Sequence, residues 1–377
     1  MKKQSIDRAI GCFLLLGILF SSSLLGSASE LFDSSSVMLI KEKKGKWFYL
    51  PILLFSPEES LIIGAGGVYL FKLKKADSLT RQSNLQASVL YTLNHQFITE
   101  PNYFIFFDKE KYILRGMVGF SRFPYYYFGI GNNTSQKNKE LVSYDIIKFD
   151  NTLLREVNRK LYIGLGYRYY NMFQVQSPSS GIMEKAHVAG YNGSVSAGIN
   201  IVLLFDNRNN ILNSTKGTYI SVINTLNGYA FGGNFNFNKL VIDIRKFISP
   251  FSKKNHTIAF QTFIQCNSGN SPFNELGLMG GSMIMRGYYL GQYRDNVLGA
   301  AQLEYRVKLT KRFGLASFIS TGEVADKLST IYLSGFKASY GLGLRVNVSK
   351  KDNVNLRLDY GFGNGVGLWY FAVAESF

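Results

Sequence analysis

Strict alternation constrains this chain more than anything else in its sequence. From Val354 onward the even positions are Val354, Leu356, Leu358, Tyr360 and Phe362, whereas the odd ones are Asn355, Arg357, Asp359, Gly361 and Gly363. A period of two gives a strand one apolar and one polar face. The rule repeats near Leu161, where Leu161, Ile163, Leu165, Tyr167 and Tyr169 share one side and Tyr162, Gly164, Gly166, Arg168 and Tyr170 the other. A water-soluble sandwich alternates in the same way, so the pattern establishes strands before it establishes their surroundings. Past residue 28 no apolar run reaches the roughly 18 residues that a membrane-crossing helix needs, which excludes helical spans. The chain is rich in Tyr (24), Phe (30) and Gly (37), poor in Pro (7), and neutral in mean hydropathy. Those values suit an all-β transmembrane barrel whose strands turn an apolar face to lipid and a small or polar face to water.

Sixteen segments carry the strand pattern: Trp47–Phe55, Leu61–Phe71, Asn84–Leu93, Pro101–Phe107, Lys111–Phe120, Val142–Glu156, Leu161–Phe173, Ala189–Phe205, Thr218–Leu226, Asn234–Phe247, Thr257–Gln265, Leu298–Leu309, Phe313–Ser320, Ala338–Val348, Asn353–Gly361 and Leu368–Phe377. An even number is what single-chain bacterial barrels have. Turn-forming residues separate them, as in Ser56-Pro57-Glu58-Glu59-Ser60, Ser249–Asn255, Ser349–Asp352 and Gly363-Asn364-Gly365. No interval has the length or helical period of a second domain, so the barrel is expected to occupy residues 47–377.

The N-terminus reads as a secretory signal over residues 1–28. Lys2, Lys3 and Arg8 precede an apolar run from Ala9 to about Leu25, and Gly26-Ser27-Ala28 mark cleavage before Ser29. Cys12 falls inside it, which leaves Cys266 alone in the mature chain and rules out an internal disulfide. The formal net charge of +17 suggests nucleic acid or an anionic surface. An exported chain seldom meets nucleic acid, and the aromatics follow strand periodicity instead of clustering with basic residues. Ordinary solvated loops and turns are the favoured explanation of the charge, and attraction to anionic lipid headgroups or lipopolysaccharide is the alternative.

The longest connection runs from about Asn267 to Val297 and holds six glycines. Loops of this length are usually functional or disordered, and the apolar Met283, Ile284 and Met285 argue against disorder. Gly280-Gly281-Ser282-Met283-Ile284-Met285-Arg286-Gly287-Tyr288 leads through Gln292-Tyr293-Arg294-Asp295 toward a strand containing Leu303-Glu304-Tyr305-Arg306. That strand puts Leu303, Tyr305, Val307 and Leu309 on one face and Gln302, Glu304, Arg306 and Lys308 on the other, so Glu304 points into the lumen. By chemistry alone Arg286 could sit in solvent while Glu304 pairs with a lysine of a neighbouring strand. Equally, the two could meet as a bidentate pair in a confined lumen.

Met285, Arg286, Gly287 and Tyr288 resemble the Arg-Gly-aromatic loop of the Omp85 (bacterial surface antigen D15) family of outer-membrane β-barrels. The resemblance implies that the loop folds back into the lumen and that Arg286 meets acids on the inner wall, Glu304 among them. The family usually has Phe-x-Asp-x-Gly on the following strand; here the match is Phe318-Ile319-Ser320-Thr321-Gly322, with Ser320 where the second acid would stand. Glu304, Ser320 and Gly322 are thus the expected docking partners, a hydroxyl replacing one charge. Asp206-Asn207-Arg208-Asn209-Asn210 with Thr215-Lys216-Gly217 is similar to a family turn, and Pro51, Ser56-Pro57-Glu58 and Gly64-Ala65-Gly66-Gly67 resemble its opening hairpin. Residues 29–46 are several times too few for the family's periplasmic POTRA module, so none is expected. Trp369, Phe371, Val373 and Phe377 share one face of the last segment, a strand type that the barrel-assembly machinery recognises by strand addition. Glu375 interrupts that face, as a residue at the membrane boundary would.

Enzymatic readings find no support. His95, His187 and His256 lie in separate regions without cysteines or carboxylates at ligand spacing, so no metal site is indicated and no cofactor is expected. The Gly361-x-Gly363-x-Gly365 run has no helix after it to bind phosphate. The resemblance implies instead a protein that inserts or exports other proteins through a barrel whose first and last strands part toward lipid. Glycines 361, 363, 365 and 367 would make that end deformable, and a separate periplasmic protein would hand over the substrate. Two simpler readings stand beside it: a passive channel plugged by the Arg286 loop, and a structural or surface-exposed barrel acting through its loops.

Overall fold

Sixteen antiparallel strands close on themselves in the computed structural model, which describes residues 46–73, 80, 82–251, 255–349 and 353–377. The signal segment 1–28 and residues 29–45 lie outside the described residues, as do parts of the turns at 249–255 and 349–352. The strands are β1 Lys46–Ser56, β2 Ser60–Phe71, β3 Ser83–Thr92, β4 (Phe97–Thr99 and Asn102–Phe107), β5 Tyr112–Arg122, β6 Glu140–Asn158, β7 Leu161–Gln176 and β8 Ser194–Asp206. They continue as β9 Gly217–Asn227, β10 Phe237–Ile248, β11 His256–Gly269, β12 Val297–Lys308, β13 Phe313–Ala325, β14 Lys337–Ser349, β15 Val354–Gly363 and β16 Val366–Val373. Each pairs with its neighbours in sequence, and β1 meets β16 to complete the ring. Glu100-Pro101 interrupts β4, as expected where proline lacks the ladder N–H.

The two faces sort as the period of two requires. On β12, Gln302, Glu304 and Arg306 are buried, while Leu303 and Tyr305 are exposed on the outer surface. On β7, Arg168 and Tyr170 turn inward and Ile163 and Leu165 outward. An outer wall of Leu, Ile, Val and aromatic side chains suits hydrocarbon, and closure removes most of the unpaired backbone that lipid cannot satisfy. Most boundaries shift by a few residues from the sequence-based segments, β13 running five residues past Ser320 to Ala325, and two of the shifts have a plain backbone cause. β8 starts at Ser194 and not Ala189, because Gly190 and Gly193 take positive φ and turn the chain. β16 stops at Val373, because Ala374 adopts φ 65° and sends the last residues inward.

Candidate functional site

The connection between β11 and β12 enters the barrel. Its stem is a short hairpin pairing Gly277–Met279 with Tyr293–Asp295, and its tip carries Met283 to Tyr288. Met279, Ile284, Met285, Tyr288 and Tyr293 pack with inward-facing Val241, Phe263, Leu298 and Val324 into an apolar cluster inside the lumen. That burial accounts for the apolar residues in so glycine-rich a loop: they hold the tip against the wall by excluding water.

Arg286 has no exposed side-chain surface. One guanidinium nitrogen bonds Glu304 of β12, and Nη1 lies 2.5 Å from Asp359 Oδ2 of β15. Its plane covers the Phe318 ring of β13 at 3.6 Å from the ring centre, a stacking that arginine's flat, weakly hydrated group permits. The network extends outward from there. Arg306 Nε donates to Glu304 at 2.6 Å, Arg345 Nη1 to Asp359 at 2.5 Å, and Arg357 Nη1 to Asp359 at 3.3 Å. The backbone on either side of Arg286 fits only because the wall has no side chain there. A Cβ on Gly361 would lie 2.7 Å from the Arg286 carbonyl carbon and 2.7 Å from the Gly287 nitrogen, and one on Gly363 2.6 Å from the Tyr288 ring.

A second ion-paired anchor lies at the loop's beginning. Glu275, 1% exposed, accepts from Arg168 of β7 at 2.8 Å and from Lys239 of β10 at 3.2 Å. Gln265 and Asn267 donate to its backbone carbonyl at 2.8 and 2.9 Å. Burial alone would raise the Glu275 pKa, but Arg168 and Lys239 outweigh it and hold it below the usual carboxylate value. β7 and β15 stand eight places apart in a ring of sixteen, on opposite walls. The loop is thus a strut across the lumen, fixed by an acid at one end and an arginine at the other.

Several expected positions lie elsewhere. Ser320 does not stand in for the second acid: its hydroxyl faces Ser339 Oγ at 3.3 Å, and Asp359 supplies the charge. Gly322 lies beside the loop's stem, where a Cβ would sit 3.3 Å from the Met279 sulfur. At the C-terminus, Trp369 is 53% exposed on the outer face, and Phe371 shares its phase. Val373 is buried, and Phe377 leaves that face altogether, packing in the lumen against Phe247 and Ala259. Glu375 accordingly faces the interior instead of the membrane boundary, 2.6 Å from Arg345 Nε and 2.7 Å from Asn355 Nδ2. The attraction of those partners is what draws the end of the chain inside. Gly361 and Gly363 allow the loop backbone and the Tyr288 ring to lie directly against the wall.

A family model for the Omp85 superfamily domain matches residues 80–377. The chain belongs to the Omp85 superfamily. Among solved structures, this Omp85 barrel is similar to BamA from Haemophilus ducreyi lacking POTRA domains 1-3, with a TM-score of 0.61 at 13% identity, covering 88% of this chain and 70% of that one. It is also similar to CdiB from Escherichia coli (TM-score 0.59, 11% identity, 90% of this chain and 64% of that one). CdiB from Acinetobacter baumannii gives 0.58 at 11% identity, over 88% and 60% respectively. The Omp85 chain therefore spans less than two thirds of the length of either CdiB. No curated protein matches the sequence. An Omp85 barrel fold indicates the bacterial outer membrane.

Proposed function

We propose that this barrel assists the insertion or translocation of other proteins at the outer membrane by parting β1 from β16. One observation carries the reading. Among the described residues, β1 and β16 share the single register pair Phe55–Phe371, whereas β1 pairs with β2 along all of Lys46–Ser56, and β15 with β16 from Leu356–Val373 to Gly363–Val366. Inter-strand hydrogen bonds hold such a cylinder together in lipid, so this seam is its weakest line. Fold similarity to BamA and CdiB supports the reading. Its surroundings would be outer-membrane lipid and lipopolysaccharide, with the barrel-assembly machinery for its own insertion and a separate periplasmic protein to deliver substrate.

A passive channel is the second reading, with the loop that crosses the lumen as its constriction. Solute passage would then skirt a strut ion-paired at both ends. The two separate experimentally. Phe55→Cys with Phe371→Cys, in a Cys266→Ser background, would lock the seam. Proteoliposomes holding the locked barrel, offered an unfolded outer-membrane protein, are expected to stop inserting it and to resume on reduction. Insertion indifferent to the lock would remove the seam-opening reading, and steady open pores from wild type in planar bilayers would favour the channel.

A further inference from the structure

The loop touches both sides of the seam within four residues. The Gly287 N–H donates to Tyr370 Oη at 3.0 Å, and Tyr370 is a fully buried side chain of β16. Three residues later the Leu290 N–H donates to Glu58 Oε1 at 2.8 Å, and Glu58 lies in the turn joining β1 to β2. We propose that Gly287–Leu290 is a latch holding the seam shut from inside, with Tyr370 and Glu58 as its two catches.

Both catches are rigidly backed. The Glu58 carbonyl accepts from Asn94 Nδ2 at 2.8 Å and Gln96 Nε2 at 3.2 Å, which ties the turn to the hairpin between β3 and β4. Gln96 is itself held by Thr92 and by the Pro124 carbonyl at 2.9 Å. Tyr370 lies on β16, in register with Asp359 of β15, the strand that grips Arg286. Between the catches, Tyr289 packs its ring against Phe128 and Tyr126, with centres 5.4 and 6.1 Å apart. The latch segment thus follows directly on the residue seated between Glu304 and Asp359. Moving β1 away from β16 must break one of the two catch bonds or pull Arg286 out of its carboxylates. The ion pairs cost far more to break than a single hydrogen bond, so the catches let go first. A barrel with one direct backbone pair at its seam among the described residues gains from this arrangement two further ties across the same line.

The proposal rests on the seam being the line of opening, and its test reads the seam directly. Nitroxides at Leu53→Cys and Trp369→Cys, both exposed on the outer face, are placed in a Cys266→Ser background, and the distance between them is measured by pulsed electron paramagnetic resonance in lipid. The parent is expected to give one short distance. Glu58→Ala and Tyr370→Phe should each raise the population of a longer distance at least about tenfold, the change expected from losing one buried hydrogen bond; Tyr370→Phe also loses the 3.4 Å bond that Tyr370 Oη donates to the Tyr288 carbonyl. Glu58→Gln keeps an acceptor oxygen and should stay near the parent. Folded variants with the parent distribution would overturn the latch. If Glu58→Ala does not fold, Tyr370→Phe, which deletes one hydroxyl, decides the matter alone. Loss of insertion activity with an unchanged seam would count against the latch, and an open seam without insertion activity would count against the proposed function only.

Discussion

Asp359 Oδ2 lies 2.5 Å from Arg286 Nη1, although 73 positions separate the two residues in the chain. The bond seats a fully buried guanidinium in a cluster where Arg286, Arg306, Arg345 and Arg357 surround the carboxylates of Glu304, Asp359 and Glu375. Four side-chain cations thus share three side-chain anions, and every further loss of an anion leaves a buried cation less well compensated.

That imbalance orders the effects of neutralising each member. Glu304→Gln is expected to cost about 3 to 5 kcal/mol, the range for stripping a buried pair of one partner. Arg286→Gln should cost clearly less, because Glu304 and Asp359 keep Arg306, Arg345 and Arg357. The temperature at which each barrel loses its compact electrophoretic mobility measures both, and a larger effect for Arg286→Gln would contradict the ordering.

Close approach at Gly361 makes a steric prediction. Gly361→Ala puts a methyl 2.7 Å from loop backbone that has no side chain to move aside, and overpacking of this kind costs about 1 to 3 kcal/mol. Gly299→Ala on β12 is the control, since a Cβ there meets nothing within 4 Å. Limited proteolysis of the loop is expected to rise in the first variant only.

Neutralising Glu275 should release the other end of the strut. Glu275→Gln leaves Arg168 and Lys239 buried together without their shared carboxylate. We expect conductance in planar bilayers to rise and the loop to become cleavable near Phe273, with Arg286 still docked. Unchanged conductance and cleavage would show that the anchor does not hold the loop.

Glu58 and Glu59 give the barrel a pH dependence. Burial raises the Glu58 pKa, and burial followed by the neighbouring Glu58 raises that of Glu59 well above the usual carboxylate value. The folded state therefore keeps these protons at pH values where the unfolded chain has released them. Their stabilisation is complete below the unfolded pKa and fades as pH rises through the folded one. Thermal unfolding of wild type should accordingly fall in midpoint as pH is raised from the ordinary carboxylate range. Glu58→Gln with Glu59→Gln should flatten that slope; a slope equal to wild type would assign it to other groups.

Much of this was legible in the sequence because side-chain period and strand register are local. Alternation alone placed Asn355, Arg357 and Asp359 on one face and Leu356 and Leu358 on the other, and β15 carries them so. The same reasoning put Glu304 in the lumen. The pairing of Arg286 with Asp359 was not legible, since nothing local links a loop to a strand three strands further round. Ser320 misled for the converse reason: a local motif marked the place of an acid, while the charge comes from a different strand. Glu275 offered no pattern at all, being one acid in an irregular loop, though Arg168 on the inward face of β7 was a cation in need of an anion. The inward turn at Ala374 defeated the alternation rule, which assumes that a strand continues.

The single pair Phe55–Phe371 has a consequence for the backbone of β1 itself. Among the described residues, nearly the whole outer edge of this strand carries amide and carbonyl groups without a ladder partner. In hydrocarbon each unmet group costs several kcal/mol, so the barrel carries a standing deficit of hydrogen bonds along one line. An extended segment of another chain laid along that edge would cancel the deficit whatever its side chains, which makes the edge indifferent to sequence and selective only for conformation.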